Sequence, residues 1–553
     1  MERLAAIQNS ALWAVYGDAI GFISELASES ELRRRINMNS LSTTVAWGKR
    51  LGGRFGIDLE LPAGCYSDDT QLRLAVCRSV DARGCFDVEA FAKVELPLWL
   101  SYALGAGRAS RYAASNLARK ETTWANNFFV RHGVNYVDAG GNGAAMRIQP
   151  HVWSFARERG VESLLRDIIR DAVSTHGHPR GILGAVFHGL CLLHALDNEV
   201  VPSLDDWNFF LKQMKLVGSI VADDDQLSYR WLPTWEKQTG RGFNEACLVV
   251  IEEIGRDILE MEPYVVKGDI GRYRDMVSAL DALSPDNRGS GTKTALLASG
   301  LALLCQGDAE NAVVTSANTL GSDTDTIGTM AGTLAGATVN HEPKGVFADR
   351  EYIIEEAKRM FQISQGKPSC SFVYPDLLRW HPPTLQLDAL KMSPYGLIFS
   401  AFGKVIPDGP EHHQEGKPPR IWRWYRLSFN QSVLIRHRKP VTQDRTLPQP
   451  STGYYRAVEE GLQPSQREQL PLKMFPTSSK ADRPVSIDGA YEEVKKSGFS
   501  AEVIGKMLLK IADSDDSVER AIAFAAIVVK ARQERQKRQV KSDNAHQGNL
   551  GQQ

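Results

Sequence analysis

The chain has 553 residues, 43% apolar and 24% charged, with a formal net charge of −1. This is the balance of a soluble globular protein with no global polyanion or polycation partner, and the length allows about three or four domains, or one large domain with appendages. The neutral total hides an asymmetry: residues 371–553 hold 27 Lys and Arg against 20 Asp and Glu, and residues 1–370 hold 38 against 46, so the two parts are expected to meet different partners.

The seven cysteines include no C-x-x-C pair and are odd in number. That argues against a disulfide framework or a cysteine-held zinc, and for a reducing compartment. The opening "MERLAAIQNSALWAVYGDAIG" is too polar, and too soon interrupted by Gly17-Asp18, to be a secretory leader. No apolar run reaches the ~18–20 uninterrupted residues of a membrane span. A cytoplasmic protein without membrane attachment is expected.

From residue 3 to about 365 the signal is helical. "FDVEAFAKVELPLWLSYAL", "VESLLRDIIRDAV", "GILGAVFHGLCLLHAL" and "TKTALLASGLALLC" place apolar residues at three-and-four spacing. Several are apolar nearly all round and rich in Ala and Gly, as central helices are. One large all-α domain is predicted over 1–365, with a small mixed α/β or irregular region after it. Strand-like alternation appears in "YGLIFSAFGKVI" and "RIWRWYRLSFNQSVLIRHRK", within an accessory segment 366–440 that is basic and aromatic-rich. Residues 441–490 read as a Pro/Ser/Gln-rich linker, 491–540 as a helical pair, and 541–553 as a disordered tail.

Two acidic stretches carry the chemistry. "SDDT" (67–70) and "SDTDT" (322–326) each stand just before a helix pattern. Helix capping is one reading, since Ser and Asp are good N-caps and acids suit the first turn. A cap needs only one such residue, and adjacent carboxylates repel. The other reading is a pair of hard divalent cations, Mg²⁺ or Mn²⁺, which want oxygen ligands. Asp68, Asp69, Asp323 and Asp325 would balance two such ions, with Ser67 or Thr70 and Thr326 adding hydroxyl oxygens. Two metals ~3.5–4 Å apart suit hydrolysis or group transfer. Three further stretches are "YGDAIGFISE" (16–25), with small residues around Asp18 and a closing Glu25; "GGNGAAMRIQP" (140–150), a glycine turn whose N–H groups could cradle a phosphate or simply start a helix; and "STHGHPRG" (174–181), with His176 and His178 as caps or ligands.

In this order these motifs resemble the ADP-ribosylglycohydrolase family: Gly17-Asp18-Ala19-Ile20-Gly21 with Glu25, Ser67-Asp68-Asp69-Thr70, Gly141-Asn142-Gly143-Ala144-Ala145-Met146-Arg147, Thr175-His176, and Gly321-Ser322-Asp323-Thr324-Asp325-Thr326-Ile327-Gly328. The resemblance spans about residues 5–345. It implies a large orthogonal helical bundle with a central dinuclear Mg²⁺ or Mn²⁺ cleft, and hydrolysis of the glycosidic bond joining ADP-ribose to an acceptor. By the same resemblance Ser67, Asp68, Asp69, Asp323, Asp325 and Thr326 are metal ligands. Glu25 has an acid/base or gating role beside Asp68, Asp69 and Asp325. Asn142 and Gly143 receive the diphosphate side of the substrate, and His176 lies near the distal ribose. Ser67 stands where many members have Thr, and Ser322 where a second Gly is usual; neither implies a dead enzyme. The acceptor is a protein side chain or a nucleic acid. The alternatives are a non-catalytic ADP-ribose-binding or structural relative, and a hydrolase of a free ADP-ribosylated metabolite.

The resemblance stops before residue 370. Between 417 and 439 there are seven basic residues and no acid (Lys417, Arg420, Arg423, Arg426, Arg436, Arg438 and Lys439), interleaved with Trp422, Trp424, Tyr425 and Phe429. This suits a polyanion such as single-stranded nucleic acid, a protein contact, or a two-stranded element with a solvated basic face.

Overall fold

The computed structural model describes residues 2–377, 380–443, 454–456 and 487–514, and within 521–531 residues 521, 524, 525, 527–529 and 531. Two compact units divide at residue 459. Most of the expected linker at 441–490, much of the second helix of the expected C-terminal pair, and the tail at 541–553 lie outside the described residues.

The first unit is predominantly helical. The elements that build the site are α1 (Arg3–Ser24), a hairpin of β1 (Trp47–Leu51) and β2 (Ile57–Leu61), α2 (Asp68–Ser79), α3 (Arg108–Leu117), α4 (Val161–Val173), α5 (Pro179–Asn198), α6 (Phe243–Lys267), α7 (Gly291–Leu304), α8 (Ala309–Asn318), α9 (Thr324–Gly336) and α10 (Arg350–Ser364). The centre is α1 against α9. Their backbones nearly touch: a β-carbon on Gly17 would fall 2.2 Å from the Gly328 carbonyl oxygen, and one on Gly21 would fall 2.4 Å from that of Thr324. Small residues at one-turn spacing thus set the distance between the two helices, in the way close helix contact demands. Helix α5 is long and apolar enough to cross a membrane by length and composition. Its apolar surface is instead packed against α4, α6 and α7.

The hairpin was not foreseen. Its second strand, Ile57-Asp58-Leu59-Glu60-Leu61, does alternate and buries Leu59 and Leu61, but the run is only five residues long and its partner, Trp47–Leu51, is polar between its ends. Its strands pair antiparallel, Trp47 opposite Leu61.

After α10 the chain turns to strands: β3 (Leu390–Ser393), β4 (Gly396–Phe399), β5 (Val405–Pro407), β6 (His412–Gln414), β7 (Arg420–Leu427), β8 (Ser432–Arg438) and β9 (Thr442–Gln443); β4, β5, β7 and β8 fall on the two stretches whose alternation predicted strands, and β3, β6 and β9 do not. The central β7 pairs antiparallel with β8, β5 and β6; β3 lies between β4 and β9. These strands share one continuous apolar core with the helices. A buried pair pins the junction. Arg78 on α2 makes two 2.8 Å bonds to Glu95 and a third to the Gln431 side chain between β7 and β8, while the Tyr374 hydroxyl donates to Glu95 at 2.7 Å. Seven of the eleven tryptophans are fully buried, all within residues 13–235.

The second unit contains α11 (Ile487–Lys496) and α12 (Ala501–Ser514), which bury Ala490, Val494, Met507 and Ile511 together with Phe524 and Val528. All seven cysteines are free.

Candidate active site

The turn before α2 is held from behind by Asp18, buried in the middle of α1. One carboxylate oxygen of Asp18 accepts from the Ser67 N–H at 2.8 Å. The other accepts from the Thr70 N–H at 2.9 Å and the Thr70 hydroxyl at 2.5 Å. Arg73 in turn donates to that hydroxyl at 2.6 Å. Ser67 is the N-cap: its hydroxyl accepts from the Asp69 N–H at 3.1 Å. The capping reading and the surplus acids are therefore both real. Ser67 and Asp18 satisfy the helix start, which leaves the carboxylates of Asp68 and Asp69 free to face outward.

The second acidic turn comes from the start of α9. Thr324 donates to the Gly21 carbonyl at 2.8 Å, locking the turn to α1. The two turns then meet: the Thr326 hydroxyl lies 3.4 Å from an oxygen of Asp69, 257 residues away in the chain. Glu25, just past the end of α1, completes the acidic wall. Its partner is Lys49 of the hairpin, whose ammonium stands 3.4 Å from Glu25 and 3.8 Å above the Phe22 ring centroid.

Burial and mutual repulsion dominate the electrostatics. The carboxyls of Asp68, Asp69 and Asp325 are pushed well above the ordinary range, first by burial and then by neighbouring acids: Glu25 for Asp68, Asp18 and Asp68 for Asp69, Glu25 and Asp323 for Asp325. Burial also raises Glu25, against the pull of Lys49. One oxygen of Asp69 is buried with no hydrogen-bond donor. An orphaned carboxylate oxygen among repelling acids is what hard cations neutralise, and every donor here is a hard oxygen. The side chains do not close into a cage on their own: among the described residues no three His, Cys, Asp or Glu stand together as a ligand set.

The opposite wall is backbone-rich. Asn142 N–H donates to Gly289 O and Gly291 N–H to Gly140 O, each at 2.9 Å, so the 140–143 loop pairs with the segment 289–291 before α7. The Asn142 amide reaches Asp323 at 2.8 Å and Thr294 at 3.2 Å. Gly143 lies under His176, where a β-carbon would come within 2.9 Å of the ring. Arg147 ties this wall together, bonding Gly143 O, Asp171 and Thr175 at 2.8 Å each. Thr175 bonds Nδ1 of His176 at 2.7 Å, which leaves Nε2 for the cleft. Burial holds His176 neutral, with its pKa lowered to about 3. His178 caps α5, accepting from the Arg180 N–H at 3.1 Å.

These walls enclose a cleft of about 600 Å³. Glu25, Asp68, Asp69, Asn142, Gly143, His176, Asp323, Asp325 and Thr326 all line it; Ser67 does not, being buried behind the turn it caps. Sequence reasoning missed the 285–290 segment and Arg108, Ser110 and Arg180 on the same lining. "PDNRGSG" is itself a glycine turn before a helix, the one signal that could have raised it.

Residues 5–365 match the family model of ADP-ribosylglycohydrolases. Over 164 residues the chain is 30% identical to ADP-ribosyl-[dinitrogen reductase] glycohydrolase of Rhodospirillum rubrum; that stretch is 30% of this chain and 48%, about half, of the relative's length. A solved structure titled ADP-ribosylglycohydrolase-related protein complex aligns with 66% of this chain and 99% of its own, at 20% identity and a TM-score of 0.39. With the family model spanning the helical domain and every one of its acidic and glycine motifs drawn into or behind one cleft, the chain belongs to the ADP-ribosylglycohydrolase family, hydrolases of a glycosidic bond.

Proposed function

We propose that this chain is a metal-dependent hydrolase that removes ADP-ribose from an ADP-ribosylated acceptor, a protein side chain, by cleaving the glycosidic bond at C1″. The observation that carries it is the meeting of two acidic turns, at Asp69 and Thr326, opposite a glycine-rich wall in one cleft.

Asp68, Asp69, Asp323, Asp325 and Thr326 would hold the divalent cations, Mg²⁺ or Mn²⁺, with Ser67 fixing the turn from inside. Bound cations supply Lewis-acid polarisation and a water of lowered pKa. The chain's own residues do the rest. Glu25 and the paired aspartates surround the position where positive charge develops as the glycosidic bond breaks, and their carboxylates favour an oxocarbenium-like transition state. Glu25, raised in pKa by burial, is suited to exchange a proton with water or leaving group. With the Asn142 N–H given to Gly289 O, the glycine N–H groups of the 140–143 loop offer donors to the diphosphate. Neutral His176 offers Nε2 to a ribose hydroxyl.

The test is release of ADP-ribose from ADP-ribosylated arginine, serine, DNA and RNA, with Mg²⁺, Mn²⁺ or EDTA. Asp325→Ala should abolish metal-dependent release. Full activity in that variant would refute the proposal; tight ADP-ribose binding without turnover in wild type would favour the binding relative. In the basic run at 417–439, Arg423 and Lys439 pair with Glu411, Arg426 with Asp408 and Arg438 with Asp388, which removes the main reason to expect a nucleic-acid strand.

A further inference from the structure

Four of the seven basic residues at 417–439 are paired with carboxylates from outside the run. Arg423 and Lys439 pair with Glu411 at 3.5 and 3.0 Å, Arg426 with Asp408 at 2.9 Å, and Arg438 bonds Asp388 at 2.6 Å. Arg420 and Arg436 differ. Among the described residues neither has a carboxylate at ion-pair distance. They are diagonal neighbours on one face of the β7–β8 pair, because Arg436 stands opposite Trp422, two residues on from Arg420. The Arg436 guanidinium lies 5.3 Å from the Trp422 ring centroid. The Nε of Arg420 is buried and donates to nothing.

A third guanidinium arrives from the helical domain. The Arg436 N–H donates to Ser101 O at 3.1 Å, which seats β8 on the turn leading into α3. In the first turns of α3 stands Arg111, with one bond to Ala106 O at 2.9 Å and no carboxylate partner among the described residues. Burial and the charges of Arg420 and Arg111 all weigh against the protonated Arg436. A guanidinium keeps its proton, so Arg420 and Arg436, side by side on one strand face, and Arg111 on the helix after the turn where β8 is seated favour an anion over any further cation. Planar N–H forks match the oxygens of a phosphoryl group. Trp422 is only 6% exposed, so no nucleobase can stack on it, which separates this cluster from a single-strand platform. Arg108, one turn before Arg111 on α3, lines the cleft itself.

We propose that Arg111, Arg420 and Arg436 form a phosphate-binding site beside the cleft, filled by a phosphate group carried on the substrate or by free inorganic phosphate.

The test titrates the full chain with inorganic pyrophosphate by calorimetry, in EDTA at low ionic strength. Wild type should show, besides any binding at the 140–143 loop, a site weakened at least tenfold in Arg111→Gln and in Arg436→Gln. Arg423→Gln, whose arginine is already ion-paired, should bind as wild type does. The exposed Arg111→Gln should also melt no lower than wild type in phosphate-free buffer, since it removes repulsion; a purely structural arginine would cost stability. No binding by wild type, or equal binding by wild type and both site variants, overturns the proposal. Turnover separates the sources. A substrate-borne phosphate raises KM by the same tenfold with kcat unchanged; a free-phosphate site leaves KM unchanged in phosphate-free buffer. The isotherm needs no turnover, so failure of the hydrolase reading and failure of this site give different results.

Discussion

Asp18 is the residue on which the acidic turn depends, and Asp18→Ala measures how much. Asp18 is fully buried and accepts three hydrogen bonds, at 2.8, 2.9 and 2.5 Å, from two backbone N–H groups and one hydroxyl. Alanine leaves those donors facing a void, at about 1–3 kcal/mol for each buried group left unsatisfied. It also removes one of the two carboxylates, Asp18 and Asp69, whose charge attracts buried Arg73. Arg73 and Asp18 make no direct ion pair but share the Thr70 hydroxyl, so this loss overlaps with that of the three hydrogen bonds. The expected loss is therefore about 3–5 kcal/mol, not the sum. Unfolding in urea gives that number, and Mn²⁺ calorimetry on the folded fraction gives the functional half: affinity should fall at least tenfold although Asp18 does not face the cleft. Asp18→Asn should lie between, because its amide oxygen keeps one side and its NH₂ opposes the other donors. An Asp18→Ala protein within about 1 kcal/mol of wild type, binding Mn²⁺ as tightly, would refute the claim that Asp18 shapes the site.

Other expectations follow from the same geometry. Asp68, Asp69 and Asp325 have folded-state pKa values raised by burial and repulsion. Their protonated forms therefore stabilise the metal-free fold below the ordinary carboxylate pKa of about 4, and that contribution is lost as pH rises through the raised values. Melting of the EDTA-treated protein should fall from about pH 5 to about pH 8, and Mn²⁺ at the upper pH should restore it; a flat profile contradicts the assignment. Gly143→Ala puts a methyl 2.8 Å from the Ser110 hydroxyl and 2.9 Å from the His176 ring, and should raise KM about tenfold with a smaller change in kcat. Gln414→Ala should loosen the hairpin, since Gln414 donates to Phe55 O at 2.7 Å and accepts from Trp422 at 2.9 Å. Faster amide exchange at residues 52–56 and a lower kcat through the Lys49–Glu25 contact would be seen together, and unchanged exchange would count against the brace.

What could be read from the sequence was local. "SDDT" and "SDTDT" were legible because capping and ligation leave residue types beside a helix start, and the helical domain was legible because apolar spacing repeats over hundreds of residues. The remainder depends on distance in space. Asp18 sits mid-helix, where nothing nearby shows that two N–H groups 49 and 52 residues later will point at it. The 417–439 run looked like free positive charge because its counter-charges lie elsewhere in the chain: Asp408 is 18 residues from Arg426, Glu411 28 from Lys439, and Asp388 50 from Arg438. The same pairing isolates Arg420 and Arg436, a distinction that no composition window contains. Ser67 shows the reverse limit. Its side chain is of the right type and in the right motif, yet it faces the helix start and not the cleft.

The central claim is that two acidic turns hold cations which make this chain a hydrolase. Its most direct test is the initial rate of ADP-ribose release from an arginine-ADP-ribosylated protein, measured with the full chain in Mn²⁺ and again in EDTA. The account predicts release in Mn²⁺ that EDTA abolishes and added Mn²⁺ restores; release that continues unchanged in EDTA would contradict it.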